Sequence, residues 1–273
     1  MRDAFIEKKI RQKSHLKFRI GRFSVILGLF LPSLLIYKPQ NVILYMAKFL
    51  FSNKKKRKKT MKVIDFNSGW TYSPVGGDKK PVDLPHDAMF SEERGKDCPS
   101  GRHGCFFKAN DYEYEKVFFA QKELENNSVY FDFESVYKDA EIFINGKKAY
   151  ANEYGYSEFY FCADEFLSYG EDNTIKVTVK TSDQPNSRWY SGAGIIRPVE
   201  MLVFPKKHIL PKGVKITTLS YKERLMKLSA AANGDGTADY EVLKDGEKIS
   251  GGSFEIKGTG ETEFVVENGK LWS

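Results

Sequence analysis

An all-β fold is predicted for residues 61–273, and three observations predict it. Short runs rich in Val, Ile, Tyr and Phe alternate with polar residues at period two. Gly, Asn, Asp and Pro punctuate these runs at close intervals, and no stretch after Met61 sustains a helical period. Regularly spaced short strands of this kind point to an antiparallel sandwich or jelly roll. At 273 residues the chain has room for one or two domains. Its 41% hydrophobic share allows a sizeable core, and the high aromatic share of 14% suits strands and sugar-stacking surfaces equally.

The first sixty residues differ in composition from everything that follows. They hold 16 of the Lys and Arg residues and only two acids, Asp3 and Glu7. The remaining residues have 27 bases against 34 acids, so the basicity belongs to a leader and the globular part is mildly acidic. That balance argues against a nucleic-acid surface. Phe23 to Tyr37 is an uncharged run of fifteen residues, Lys38 to Asn41 interrupts it, and Val42 to Phe51 is apolar apart from Lys48. Neither run reaches the roughly 20 residues of a spanning helix. Residues 1–60 therefore read as sequence upstream of a true start at Met61, or alternatively as a membrane anchor through residues 23–51, with Lys54–Lys59 against anionic headgroups. Three cysteines (Cys98, Cys105, Cys162) do not make a disulfide framework, and a cytoplasmic location is expected, with membrane anchoring the alternative.

From Met61 the strands can be read in order. Ser128–Glu134 and Ala140–Ile144 alternate at period two, and Asn145-Gly146 then turns the chain into Lys147–Tyr150. Asn-Gly between such runs signals a hairpin, because a type I′ turn needs positive φ at both positions. Ser157–Cys162 and Asn173–Lys180 follow. A boundary is expected near Pro205–His208, giving domains over 61–205 and 206–273. In the second, strands are expected at Val214–Ser220, Leu225–Ala232, Ala238–Lys244, Lys248–Lys257 and Glu261–Glu267, with a turn at Asp245-Gly246. At 68 residues this unit is shorter than the roughly 100 of an immunoglobulin-like sandwich. It reads as truncated at Leu271-Trp272-Ser273, with an open edge in need of a partner.

Four stretches carry a resemblance. They are Phe66-Asn-Ser-Gly-Trp70-Thr-Tyr72, Val82-Asp-Leu-Pro-His86-Asp87, the hairpin from Val129 through Glu134 and Glu141 to Asn145-Gly146, and Asn186-Ser-Arg188-Trp189-Tyr190-Ser-Gly-Ala-Gly194-Ile-Ile-Arg197-Pro-Val. In this order and spacing they resemble the N-terminal sugar-binding domain of the family 2 glycoside hydrolases, the β-galactosidase and β-glucuronidase group; Ala88 stands where that family has Trp. The resemblance implies a galactose-binding-like jelly roll followed by an immunoglobulin-like sandwich. In the family a TIM barrel comes next, in which two glutamates cleave β-glycosides with retention. About 250 residues of barrel do not fit into what remains of this chain. The expectation is therefore a non-catalytic, sugar-binding front portion of a retaining β-glycosidase, inactive alone. Its partners would be a carbohydrate and a catalytic barrel, in cis or as a separate chain. The alternative is a stand-alone lectin-like module.

The resemblance marks Arg188 and Trp189 as substrate-binding residues, since that loop in the family reaches toward the sugar pocket. A guanidinium can fork hydrogen bonds to hydroxyls and an indole can cover a pyranose face. The plainer alternative has Trp189 packed under the loop and Arg188 paired with a surface acid. Gly192-Ala193-Gly194 reads as a tight turn and not a phosphate loop. His86 and Asp87 read as structural, Trp70 and Tyr72 as core residues on one strand face, and Glu134 and Glu141 as solvated carboxylates on neighbouring strands. No catalytic residue is assigned. Cys98, His103 and Cys105 lack a fourth metal ligand, and neither a metal nor a cofactor is expected.

Overall fold

The computed structural model describes residues 16–20, 23–27, 44–49, 61–244 and 247–267. The described residues form an all-β protein of two compact units. One covers Lys58–Lys206, and the other contains residues 207–267 together with strands from the leader. Those leader strands are β1 (Leu16–Ile20), β2 (Phe23–Leu27) and β3 (Leu44–Phe49), with β1 and β2 paired as an antiparallel ladder. The rest of residues 1–60, the Asp245-Gly246 turn and the Leu271–Ser273 end lie outside the described residues. Among the described residues no helix is long and apolar enough to cross a membrane.

The first unit is a jelly-roll sandwich of two antiparallel sheets. One sheet has six strands, in the order Lys147–Asn152 (β10), Ala140–Ile144 (β9), Glu171–Val179 (β12), Tyr112–Ala120 (β7), Trp70–Pro74 (β5) and Lys80–Val82 (β6). The other has four, in the order Phe159–Cys162 (β11), Asn127–Phe133 (β8), Val199–Pro205 (β13) and Lys62–Asp65 (β4). Alternate residues of β12, Asn173, Ile175, Val177 and Val179, are buried, as the period-two pattern requires. The core between the sheets joins Trp70, Tyr112, Tyr114, Ile142, Ile144 and Ile175 of one face to Val129, Phe131, Phe133, Phe159 and Val203 of the other. Pairing runs without a bulge along all nine residues of β7 and β12, from Tyr112 opposite Val179 to Ala120 opposite Glu171. That long ladder fixes the end of β12, from which the loop to β13 departs.

The second unit places two three-stranded sheets around its own core, an immunoglobulin-like arrangement. Ile209–Ser220 (β14), Leu225–Ala232 (β15) and Thr259–Val265 (β18) form one sheet in that order. Glu247–Ile256 (β17), Gly236–Lys244 (β16) and β3 form the other. Leu228, Ala230, Ala238, Tyr240, Val242 and Ile256 are buried between them. The sequence expectation left an edge of this unit unpartnered. In the structure β3 lies along β16, with Phe49 opposite Ala238 and Leu44 opposite Leu243.

Candidate functional site

The loop between β12 and β13 carries Arg188 and Trp189, and its shape begins at Asp87. The chain leaves β6 through Leu84-Pro85, and the two flanking amides dock on the far loop: His86 N–H donates to Ile195 O (2.9 Å) and Ala88 N–H to Ala193 O (2.8 Å). Asp87, between them, turns its side chain to the same loop and to the turn that follows. Its Oδ1 accepts from the Met89 amide (3.1 Å), capping the short 3₁₀ turn Ala88–Ser91, and from the Ala193 amide (3.0 Å). Its Oδ2 accepts the Tyr190 hydroxyl at 2.7 Å. One carboxylate thus ties the turn after Pro85 to residues 190–193, and charge-assisted bonds of this kind are the strong ones.

The glycines make that approach sterically open. Gly192 has φ +75°, and a Cβ there would stand 2.7 Å from Asp87 Oδ2; at Gly194, φ is +111° and a Cβ would meet the Tyr114 hydroxyl at 2.0 Å. Gly194 also exchanges two backbone hydrogen bonds of 2.9 Å with Tyr137, which fastens the loop on its other side. His86 Nδ1 lies 2.8 Å from the Tyr114 hydroxyl, and its ring packs 4.2 Å from that of Tyr72. Burial holds the His86 pKa below the ordinary imidazole value, against the opposing pull of Asp87. Burial raises the Tyr114 and Tyr190 phenols far above their usual value, and the Asp87 charge adds to both. An open cleft of about 270 Å³ is lined by Pro85, His86, Asp87, Tyr190, Ser191 and Ile196.

Arg188 and Trp189 sit at the exposed crest of the loop. The His103 Nδ1–H donates to the Arg188 carbonyl (2.7 Å), and Ser187 Oγ accepts from the Trp189 amide (3.3 Å), bonds the Trp189 carbonyl and meets Ser191 Oγ at 2.8 Å. The backbone is therefore pinned while the side chains project. Among the described residues no hydrogen bond or ion pair holds the Arg188 guanidinium. Trp189 is 61% exposed, and its Nε1–H donates to the Tyr156 hydroxyl at 3.1 Å.

The other residues singled out in the sequence fall elsewhere. Trp70 and Tyr72 are buried, their polar atoms donating to Phe66 O (2.8 Å) and Ser91 Oγ (2.9 Å). Glu134 and Glu141 are not on neighbouring strands, contrary to expectation: Glu134 follows β8 in the four-stranded sheet, whereas Glu141 is on β9 in the six-stranded sheet and pairs with Lys148 at 2.7 Å. A turn cannot be told from a crossover between sheets by period alone, which explains the error. Cys98, Cys105 and Cys162 are free thiols, and no group of three or more His, Cys, Asp or Glu side chains among the described residues is arranged to hold a metal. The loop clamp itself, Asp87 with Tyr190, was not read as such. Both residues stand in the quoted motifs, yet nothing local links positions 103 apart.

No protein-family profile matches the chain. Curated relatives do. The β-galactosidase BoGH2A of Bacteroides ovatus is 32% identical over 178 residues, which is 61% of this chain and 21% of that one. A β-glucuronidase of Bacteroides fragilis is 28% identical over 202 residues, 67% of this chain and 28% of its own. Among solved structures, a putative β-galactosidase from Bacteroides fragilis matches with a TM-score of 0.62 at 23% identity, over 78% of this chain and 36% of that one. A family 2 glycosyl hydrolase from Bacteroides cellulosilyticus has the same TM-score, 0.62, at 18% identity and shares the fold over 77% of this chain. The chain spans about a fifth of the length of the first of these relatives. With the four motifs in order and the jelly-roll and immunoglobulin-like units in place, the homologues and structural neighbours of this chain are family 2 glycoside hydrolases named as β-galactosidases and β-glucuronidases, and the chain matches the fold of their N-terminal β-sandwich domains.

Proposed function

We propose that residues 61–267 act as the non-catalytic, carbohydrate-binding front part of a retaining β-glycosidase, with Arg188 and Trp189 turned toward a sugar. The observation that carries this reading is the uncommitted Arg188 guanidinium beside an exposed Trp189, on a loop that Asp87, Gly194 and His103 hold in shape. A rigid loop presenting a forked donor and an aromatic face suits a hydroxyl-rich ring with apolar C–H faces. The loop's base is held by a half-buried carboxylate, Asp87, which bonds the Tyr190 hydroxyl and the Ala193 amide and so keeps the crest in one shape. In this reading the chemistry belongs to a barrel supplied in cis or by a separate chain, on which two glutamates cleave the glycosidic bond.

The test is hydrolysis of nitrophenyl β-galactoside and β-glucuronide by the purified chain, with and without a barrel-bearing polypeptide from the same family. The expected result is turnover only on complementation, with kcat/KM falling about tenfold or more in Arg188→Ala, as for loss of a charged hydrogen-bond donor. Turnover by the chain alone, or complementation untouched by Arg188→Ala, would overturn the proposal.

A further inference from the structure

Trp189 is not alone on its surface. The turn between β10 and β11 brings two more large rings to solvent, Tyr154 at 65% and Tyr156 at 44% exposure. The Tyr154 and Tyr156 rings stand 5.8 Å apart at 67°, and the indole Nε1–H of Trp189 reaches the Tyr156 hydroxyl across 33 residues of chain. Exposed aromatic side chains usually cost little when scattered, but a contiguous group of three is a marker for binding.

The rings are also held from beneath. The Tyr154 carbonyl accepts from Asn152 Nδ2 (2.8 Å), Ser157 Oγ (2.9 Å) and the Ser157 amide (3.2 Å), so the turn is closed at both ends. Below it lies Tyr137, only 5% exposed, its ring 5.3 Å from Tyr156 and its hydroxyl donating to Asn186 Oδ1 at 3.2 Å. Gly155 leaves the room for that ring: a Cβ there would meet Tyr137 Cδ2 at 2.2 Å. Tyr137 is the residue whose backbone exchanges hydrogen bonds with Gly194, so one buried residue supports both the tyrosine turn and the Arg188–Trp189 loop.

We propose that Trp189, Tyr156 and Tyr154 form a stacking platform for successive pyranose rings of a β-linked oligosaccharide, running outward from Arg188. The inference rests on the reading above, in which Arg188 and Trp189 face a sugar, and extends it from one ring to a chain. Three features select this occupant. The turn Asn152–Ser157 carries no aliphatic side chain, so the patch is aromatic and amphipathic, unlike a surface made to bury Leu or Ile. A β-pyranoside with equatorial substituents offers axial C–H bonds on its faces and hydroxyls at its rim, which match ring faces edged by phenols and a free guanidinium. And the pinned backbone means that little order has to be gained on binding.

The experiment is ¹⁹F NMR of the chain labelled with 5-fluorotryptophan, which has three tryptophans (Trp70, Trp189 and Trp272), with Trp189→Phe used to assign the Trp189 resonance. Methyl β-glycosides and β-1,4-linked gluco-, galacto- and xylo-tetraoses are titrated in, and the buried Trp70 resonance reports that the fold is intact. The expected result is that at least one tetraose shifts the Trp189 resonance and binds more tightly than its methyl glycoside. Tyr154→Ala should weaken the tetraose about fivefold to tenfold, the worth of one aromatic contact, and the methyl glycoside far less, whereas Tyr156→Ala, which also removes the hydroxyl that meets the Trp189 indole, should weaken both. Tetraoses that bind no better than methyl glycosides, or none that moves the resonance, would overturn the platform. So would tetraose binding indifferent to both tyrosine variants. If Arg188→Ala still lowers complemented turnover in that case, the single-sugar reading stands without the platform; if it does not, both fall.

Discussion

Gly194 combines a φ of +111° with a Cβ position 2.0 Å from the Tyr114 hydroxyl, so a side chain there would be strained by the backbone and blocked by a buried phenol. Gly194→Ala is expected to cost about 3 kcal/mol or more, read as a loss in denaturant midpoint. Asp87→Ala removes an acceptor from two amides and a hydroxyl, and an expected loss of about 2–4 kcal/mol follows from leaving those donors unpaired. Asp87→Asn keeps one oxygen in place and should recover part of that loss, which separates bonding from shape. His86 adds a pH dependence whose sign is fixed. Burial lowers its pKa in the folded state, so the unfolded chain binds more protons as the pH falls past the ordinary imidazole value near 6.5. The stability associated with neutral His86 is therefore complete above that value and is lost on acidification toward the lower folded pKa. Denaturation at about pH 5 and about pH 7.5 should show a smaller difference in His86→Asn than in the native chain. An equal difference in both proteins would assign the pH dependence to other groups.

At the scale of elements, the hairpin between β9 and β10 shows what a sequence makes legible. Asn145 has φ +50° and Gly146 φ +78°, the pair of positive values that the Asn-Gly signal requires. The Asn145 side chain does more than the turn needs: its Oδ1 accepts from the Thr174 amide (2.9 Å), and its Nδ2 donates to Phe166 O (2.9 Å) and Asn173 Oδ1 (2.7 Å). Asn145→Gly keeps the backbone geometry and loses those bonds, whereas Asn145→Ala loses both. The alanine variant should be the less stable by about 1 kcal/mol, the left-handed penalty alone, as measured by urea unfolding of the two side by side. Strands and turns such as these were readable because the side-chain period and the turn chemistry are local. The opening motif was less so: Phe66–Tyr72 straddles the gap between β4, which ends at Asp65, and β5, which begins at Trp70, and the Phe66 carbonyl accepts the Trp70 indole N–H. The site was legible only in part. Arg188 and Trp189, proposed to face a sugar, stand in a motif, but the Tyr156 hydroxyl that meets the Trp189 indole is 33 residues away and the Asp87 carboxylate that holds the Ala193 amide is 106 away, and periodicity carries no information over such distances.

Among the described residues each unit has a main hydrophobic core of its own, with a smaller cluster of Tyr130, Leu202 and Phe204 separate from both, and this makes a prediction about cooperativity. Phe133 is fully buried among Phe159, Phe161 and the rest of the jelly-roll core, and Ile256 is buried among Tyr240, Val242 and Phe254 in the second core. Truncation of a buried Phe to Ala costs about 3–5 kcal/mol and of Ile about 2–5 kcal/mol, most of a unit's marginal stability. If each core holds its own unit, Phe133→Ala should speed hydrogen exchange of the slowest amides in β7, β8 and β12 and leave those of β15 and β16 unchanged. Ile256→Ala should do the reverse. Exchange read by mass spectrometry on peptides from both units distinguishes this from one cooperative molecule, in which either substitution would speed all of the slow amides alike. Independent units would leave the Asp87-clamped loop governed by the jelly-roll core alone. Ile256→Ala would then weaken the second unit without altering the saccharide binding proposed for Arg188 and Trp189, while Phe133→Ala would reduce both stability and that binding as the loop's footing opens.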